Sequence, residues 1–307
     1  MELFVIVVTY KGHLWYERCF SSLRNSSIPV QTVVIDNASN DGTVEYIREN
    51  FPEIYLIESK ENLGFGRANN VGMRYALDNG CDYVFLLNQD AWIENDTFEN
   101  LIHIHKKSPE YGILGCINVT KERDHMLDGF VTTISDPRNC DQKLIDDLFF
   151  SRLEDVYEVK SILAAAWLMS KNTLEVLGGF DPIFFHYGED DNYLQRAHYH
   201  GIKVGVCPKC LIVHDAQTCR TDNAVEFRKN KYAFQREVLL RWTDINLYSS
   251  LQFKIVRLFF KVLKSFLLCR KERMIVLYNE FSFVLKKYSQ IQNSIRTNLK
   301  SGSHYLS

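Results

Sequence analysis

No stretch of 18 uninterrupted apolar residues occurs in this chain, so no membrane-spanning helix is expected. A surplus of charge is missing as well. The 36 Lys and Arg against 38 Asp and Glu leave a formal net charge of -2, which removes any global argument for nucleic acid or an acidic partner. Met1 leads directly into a strand-like run without a basic segment, so no export signal is expected. Eight cysteines in a chain of this kind suggest a reducing compartment, and the expected location is the cytoplasm. Neither an internal repeat nor a Walker P-loop is evident. The remainder is ordinary globular composition, 46% hydrophobic and 24% charged over 307 residues. That is material for one large domain, or one plus an appendage.

What is present is a rhythm of short apolar runs alternating with helical patterns. Leu3–Thr9, Gln31–Asp36, Ile54–Glu58 and Tyr83–Leu87 read as buried strands. Helices are expected at Leu14–Leu23, Thr43–Asn50 and Ala68–Leu77, and a helix start at Asp96–Thr97. This order predicts an α/β fold, a mostly parallel sheet with helices on both faces. Cys116 to about Glu158 is less regular and reads as an insertion with one helix at Gln142–Arg152. Val159–Ser170, Ile202–Cys207 and Leu211–His214 are strand-like.

Ligands of open α/β sheets bind beyond the carboxyl ends of the strands. Asp36 ends the second strand there, where it can accept from a ribose hydroxyl or a base N–H. Gly64-Phe65-Gly66-Arg67 follows the third strand. Its glycines permit close backbone approach, and Arg67 suits a phosphate. Asn88-Gln89-Asp90 ends the fourth strand, and Asp90 is a candidate ligand for a hard divalent cation. Asn88 and Asp90 are also ordinary turn formers. His214 can join Asp90 on a metal or be a satisfied core histidine. Trp167 can line an acceptor site or fill the core. Glu189, Asp190 and Asp191 stand together before a helix at Tyr193–His200, behind the aromatic run Phe184–Tyr187. Capping alone would not need three carboxylates, and mutual repulsion among them is one way to prepare a general base. Cys207, Cys210, His214 and Cys219 have a spacing that four-ligand structural zinc could use, although Pro208 and a strand end argue against it.

From Val225 the pattern becomes helical, at Val225–Arg241, Leu251–Leu268 and Met274–Tyr288. Lys254, Arg257, Lys261 and Lys264 fall along one helical face, and residues 251–290 hold nine Lys and Arg against two acidic residues. The pattern suits a helix lying on an anionic membrane surface, the inner face of the plasma membrane for a cytoplasmic protein. Packing on the catalytic domain or on a second subunit, as in a homo-oligomer, is the alternative. The expected division is residues 1–222 and 223–307.

Six segments occur in one order: VVTY (Val7–Tyr10), VIDNASNDGT (Val34–Thr43), ENLGFGRANN (Glu61–Asn70), LLNQD (Leu86–Asp90), GGFDPIFFHYGED (Gly178–Asp190) and LIVH (Leu211–His214). Over about residues 5 to 215 the chain resembles inverting glycosyltransferases of family 2, of GT-A fold. The rhamnosyl- and galactofuranosyl-type enzymes of bacterial surface polysaccharide synthesis are the nearest in pattern. The resemblance implies that Thr9, Tyr10 and Asp36 hold the nucleobase and ribose, and that Asn62, Gly66 and Arg67 lie near the diphosphate or donor sugar. It implies Mg²⁺ or Mn²⁺ on Asp90 and His214, with Asp190 as the base and Glu189 and Asp191 beside it. Trp167, His186 and Tyr187 are the candidate acceptor residues. The implied partners are a nucleotide-sugar donor, dTDP-rhamnose or a UDP-sugar, and a glycan or lipid-linked acceptor, with no nucleic acid. Two positions depart from the pattern. Asn88 stands where the family often has Asp, so a neutral amide would meet the ribose. Asn192 stands where related enzymes often carry a carboxylate, which sets Asp191 beside Asp190 as a rival base. The other class of function is a decayed nucleotide-sugar-binding or scaffold protein in a polysaccharide-assembly complex. A glycoside hydrolase would not need Asp36, Arg67 and Asp90 at successive strand ends.

Overall fold

The computed structural model describes residues 1–140, 143–216, 223–247 and 250–306, with side chains described from residue 232 onward after the second gap. The chain divides into two compact units, Met1–Cys219 with Ser301–Ser307, and Arg220–Lys300. The last seven residues, which the sequence pattern grouped with the C-terminal helices, thus cluster with the first unit.

The first unit begins β1 (Leu3–Thr9), α1 (His13–Arg24), β2 (Gln31–Asp36), α2 (Thr43–Asn50), β3 (Tyr55–Glu58), α3 (Phe65–Asp78) and β4 (Tyr83–Asn88). It continues with β5 (Ala91–Ile93), α4 (Thr97–Lys107), β6 (Tyr111–Val119), α5 (Asp128–Ser135) and α6 (Lys143–Phe149). Then follow β7 (Tyr157–Val159), β8 (Ala166–Ser170), α7 (Lys171–Leu177), α8 (Glu189–Tyr199) and β9 (Lys203–His214). The strands form one sheet in the order β3-β2-β1-β4-β8-β6-β9-β5, with β7 on β9. Pairings β1–β2, β2–β3, β1–β4 and β6–β9 are parallel, whereas β8 runs antiparallel to both β4 and β6. The mixed α/β, mostly parallel sheet is the fold that the strand–helix alternation predicts.

Burial on both faces explains why the strands are nearly continuous apolar runs. Along β1, Phe4 and Ile6 enter one core, while Leu3, Val5 and Val7 enter the other. In β4, Val84 and Leu86 face the first, and Tyr83, Phe85 and Leu87 the second. Each such side chain contributes about 1.5–3 kcal/mol, and the period of two fixes the register.

Several expectations change. α3 starts three residues before Ala68, so Arg67 lies in its first turn rather than in the loop. The three-residue β5 was not expected, and it exists because β9 pairs with it, Ala91 against His214. β9 is one strand of 12 residues, running through Pro208. The proline is tolerated where the β6–β9 register shifts between Cys116 and Ile117. The expected insertion holds two helices, α5 and α6, and parts of β6 and β7; Gln142, at the expected helix start, lies outside the described residues. Only Ala166–Ser170 of the expected strand Val159–Ser170 is β8, with Val159 ending β7.

The second unit comprises α9 (Asn223–Thr243), α10 (Leu251–Leu267), α11 (Lys271–Lys286) and α12 (Tyr288–Asn298). Ser250 caps α10, its hydroxyl accepting from Phe253 N at 3.2 Å. No helix among the described residues is long and apolar enough to cross a membrane.

Candidate active site

A cleft of about 450 Å³ opens where β1, β2 and β4 end, lined by Val8, Tyr10, Asn37, Asn62, Gly64, Phe65, Asn88, Gln89, Asp90, Phe185, His186 and Tyr187. Its floor is tied together by short polar links. The Thr9 hydroxyl donates to Asp36 Oδ1 at 3.2 Å, Ser39 N donates to Oδ2 at 2.9 Å, and Asn37 N donates to Thr9 O at 2.8 Å. Thr9 and Asp36 are therefore buried organisers of the strand ends rather than open surfaces. Asn37 Nδ2 donates to Asn62 Oδ1 at 3.0 Å, and Leu63 N donates to Asn37 Oδ1 at 2.7 Å. Gly64 has φ 79°, and a Cβ there would lie 2.1 Å from Phe185 O. Only glycine lets the aromatic loop approach this closely.

On the opposite wall Gln89 holds Tyr10 at both ends. Its Oε1 accepts from Tyr10 N at 2.8 Å, and its Nε2 donates to Tyr10 O at 3.2 Å. This presents the Tyr10 ring, 41% exposed, at the cleft edge. Gln89 carried no expected role; its position between Asn88 and Asp90 was the only signal. Asp90 Oδ1 lies 3.3 Å from His214 Nε2. The pairing of β5 with β9 brings them together, and Asp215 N donates to Asp90 O at 2.9 Å. Asp215, likewise unforeseen, accepts from Trp15 Nε1 at 3.1 Å and Lys121 Nζ at 3.0 Å. The contacts of both residues cross long stretches of chain, so local pattern does not reveal them.

The segment Asp181–Gly188 forms the cleft's rim. Tyr187 adopts φ 65° and Gly188 φ 95° just before α8 begins. A tyrosine in the left-handed region costs about 1–3 kcal/mol and marks a conformation fixed by its surroundings. The three carboxylates occupy the first turn of α8, one turn earlier than expected. Glu189 is buried, whereas Asp190 and Asp191 are half-buried. Glu189 packs beneath Gly66, whose Cβ would meet Phe180 Cβ at 2.9 Å and Glu189 Cβ at 3.4 Å. Gly66 thus serves helix packing rather than ligand approach. His186 packs against Tyr187, the rings tilted by 42° with centroids 3.9 Å apart. Desolvation on that inner side pushes the His186 imidazole below its ordinary value, against the pull of the Asp190 charge. The outer edge of His186 is exposed, so solvent screens both influences.

Two expected site residues lie elsewhere. Trp167 is 0% exposed in β8, stacked on Phe180 at 6.4 Å. It is a core residue, because its strand is flanked by β4 and β6. Arg67 points to a separate cavity with Leu63, Asn70, Val71, Arg74 and Pro182, and donates to Pro182 O at 3.3 Å. The early start of α3 turns it away. The zinc reading also fails among the described residues. Cys207 and Cys210 are buried in the sheet core, His214 sits at the cleft beside Asp90, and Cys219 lies outside the described residues.

A divalent ion fits this cleft in one way. Asp90 supplies a carboxylate and His214 an imidazole, with buried Asn88 Oδ1 lacking any hydrogen-bond partner. No group of three or more His, Cys, Asp or Glu among the described residues could hold a metal alone. The donor set therefore suits an ion completed by phosphate oxygens of a ligand, the usual habit of Mg²⁺.

The sheet with its strand-end cleft has the arrangement of the GT-A fold. Residues 4–127 match the family described as Glycosyl transferase family 2. The chain carries a glycosyltransferase family 2 domain and is a glycosyltransferase. It is similar to the dTDP-rhamnosyl transferase RfbF of Shigella flexneri, 22% identical over 214 residues that cover 69% of each chain. It is also similar to the N-acetylglucosaminyl-diphospho-decaprenol L-rhamnosyltransferase of Mycobacterium tuberculosis, 24% identical over 269 residues, 78% of this chain and 88% of the relative. In fold it is similar to S. aureus TarS 1-349 in complex with UDP, with TM-score 0.52, 15% identity and coverage of 97% and 92%. The mannosyltransferase PcManGT from Pyrobaculum calidifontis, in complex with GDP-Man and Mn2+, has TM-score 0.56, 17% identity and coverage of 99% and 84%.

Proposed function

We propose that this glycosyltransferase moves a sugar from a nucleotide-diphosphate donor to a hydroxyl of a glycan or lipid-linked acceptor in surface polysaccharide synthesis, inverting the anomeric centre. The observation that carries the reading is the Asp90–His214 pair at the strand ends, facing the rim that leads into Asp190. The name of the Shigella relative supports dTDP-rhamnose as donor, with a UDP-sugar as the other candidate. That of the Mycobacterium relative supports a lipid-linked acceptor.

The geometry of the cleft supports the following roles. Tyr10 offers its exposed ring to the base, and the Thr9–Asp36 link sets the strand ends beneath it. Asn62 and Asn88 turn amides toward the ribose and diphosphate. Asp90 and His214 would hold Mg²⁺ or Mn²⁺, which when bound neutralises charge developing on the diphosphate leaving group. His186 and Tyr187 line the acceptor side. Asp190 takes the proton of the attacking hydroxyl, and Asp191 is the neighbour able to replace it. The helical unit is read as a peripheral contact with the inner face of the plasma membrane, through the exposed apolar arc of α10.

A thermal-shift series of nucleotide diphosphates and nucleotide sugars, with and without Mn²⁺, tests this reading. A ligand at 100 times its Kd stabilises the native state by about 2.7 kcal/mol, a rise of roughly 5–10 °C for a unit of this size. The expected result is a Mn²⁺-dependent rise with one nucleotide that Asp90→Ala abolishes. No rise with any nucleotide, in folded protein, would transfer the weight to a scaffold function.

A further inference from the structure

The helical unit contains a cavity of about 400 Å³ of its own, lined among others by Arg241, Trp242, Lys254, Arg257, Lys261 and Glu280. We infer that this cavity is a binding site for the phosphate headgroup of an anionic membrane lipid. The inference rests on the membrane-surface reading of α10 given above.

Four cations face one carboxylate here, and that carboxylate is already engaged. Glu280 Oε1 accepts from Trp242 Nε1 at 2.7 Å and pairs with Arg241 at 3.0 Å. Lys254, Arg257 and Lys261 succeed one another at spacings of three and four on one helix, so their like charges repel, and among the described residues the carboxylate at this cavity is already paired with Arg241. Lys254 is half-buried, and desolvation pushes its ammonium down against the weaker pull of Asp244. Packing of α10 does not require this stack of cations, since Leu258 and Ser265 make its buried edge. A bound phosphate would relieve the repulsion and use the charges.

The apolar face says which phosphate. Phe253, Phe260, Phe266 and Leu267 are 61%, 59%, 64% and 70% exposed. At 100° per residue Phe253, Phe260 and Leu267 lie on the side away from Leu258 and Ser265, with the cations between the two, and Phe266 extends the apolar arc on the other flank. If the apolar arc enters the acyl boundary, the cavity opens at headgroup depth, where Lys and Arg meet lipid phosphates. A partner helix would bring acidic residues to so basic an edge. An anionic bilayer supplies the apolar and the negative component in one surface.

The test is co-sedimentation of the full chain with vesicles of phosphatidylcholine containing either phosphatidic acid or phosphatidylglycerol at matched surface charge. A built phosphate site prefers the exposed phosphomonoester by at least one charge-assisted hydrogen bond, roughly tenfold in affinity. The wild type is expected to show that preference, and Arg257→Gln/Lys261→Gln to lose it. Lys271→Gln/Lys286→Gln, with the same charge change away from the cavity, should weaken both lipids and keep the ratio. Equal binding of both lipids by the wild type, or an unchanged ratio in the cavity variant, overturns the site. Inorganic pyrophosphate bound without vesicles and lost in the cavity variant, with vesicle binding intact, would assign the cavity to a soluble phosphate and overturn the lipid source. Phe260→Ser/Phe266→Ser separates the two levels. Undiminished vesicle binding by that variant sinks the membrane reading itself, whereas its loss leaves only the site in question.

Discussion

Asp190→Asn is expected to lower turnover by about 10²–10⁴-fold, the usual contribution of a positioned general base, while the nucleotide-induced thermal shift persists. The amide keeps the shape and hydrogen-bonding reach of the first turn of α8 but cannot take a proton. Of the three carboxylates in that turn, Glu189 is buried under Gly66 and cannot meet an acceptor. Asp190 and Asp191 are both half-buried, and Asp190 is the one whose charge acts on His186 at the cleft rim. Loss of one negative charge near a helix N-terminus costs only about 0.3–1 kcal/mol, so the melting temperature should fall by a few degrees at most. Asp191→Asn is the control, with less than a tenfold effect on kcat expected. Full activity of Asp190→Asn together with an inactive Asp191→Asn would move the base by one residue. Full activity of both would sink the assignment of the base to this helix turn.

Much of this site was legible because strands covered on both faces write themselves as apolar runs. β1, β2 and α2 have the bounds that the sequence pattern predicts, and the residues just after those strands, Tyr10 and Asn37, line the cleft. Elsewhere the limit was physical. Arg67 changes sides because α3 starts earlier than its apolar pattern, and helical periodicity then points the side chain at Pro182. Trp167 reads the same in a core strand and in an acceptor wall, and only the pairing of β8 between β4 and β6 decides. Gln89 and Asp215 act through partners 79 and 125 residues distant in the chain, Tyr10 and Asp90, and local pattern carries no trace of such pairing. The same holds for the return of the C-terminus.

That return carries the second large effect. Gly178→Ala is expected to destabilise the first unit by about 3 kcal/mol or more and to impair transfer, although the residue touches no ligand. Gly178 has φ 70° and ψ −150°, a region essentially reserved for glycine. A Cβ there would lie 2.1 Å from His304 O and 2.5 Å from His304 N, backbone atoms that cannot swing away. The alanine can be accommodated only if the tail leaves. With it would go Gly179 N donating to His304 O at 2.7 Å, Gly302 N to Val176 O at 2.9 Å, Tyr305 OH to Asp181 Oδ2 at 3.2 Å and Arg74 to Leu306 O at 2.8 Å. Leu306, buried in the core, would be exposed. These contacts brace the turn from Gly178 to Asp181, which opens the rim segment ahead of Asp190. Fully buried Arg196 supports the same turn from below, donating to Leu177 O at 2.7 Å and Gly179 O at 2.5 Å between the rings of Tyr193 and Tyr305. At about 2–4 °C per kcal/mol for a unit of this size, the melting temperature should drop by roughly 6–12 °C. Truncation after Lys300 should reproduce both the drop and the loss of kcat. Tyr305→Phe, which removes one hydroxyl and keeps the tail, should cost about 1 kcal/mol. An unchanged melting temperature and kcat in Gly178→Ala would show that the tail can be displaced freely, and that the rim segment is held by its own residues alone.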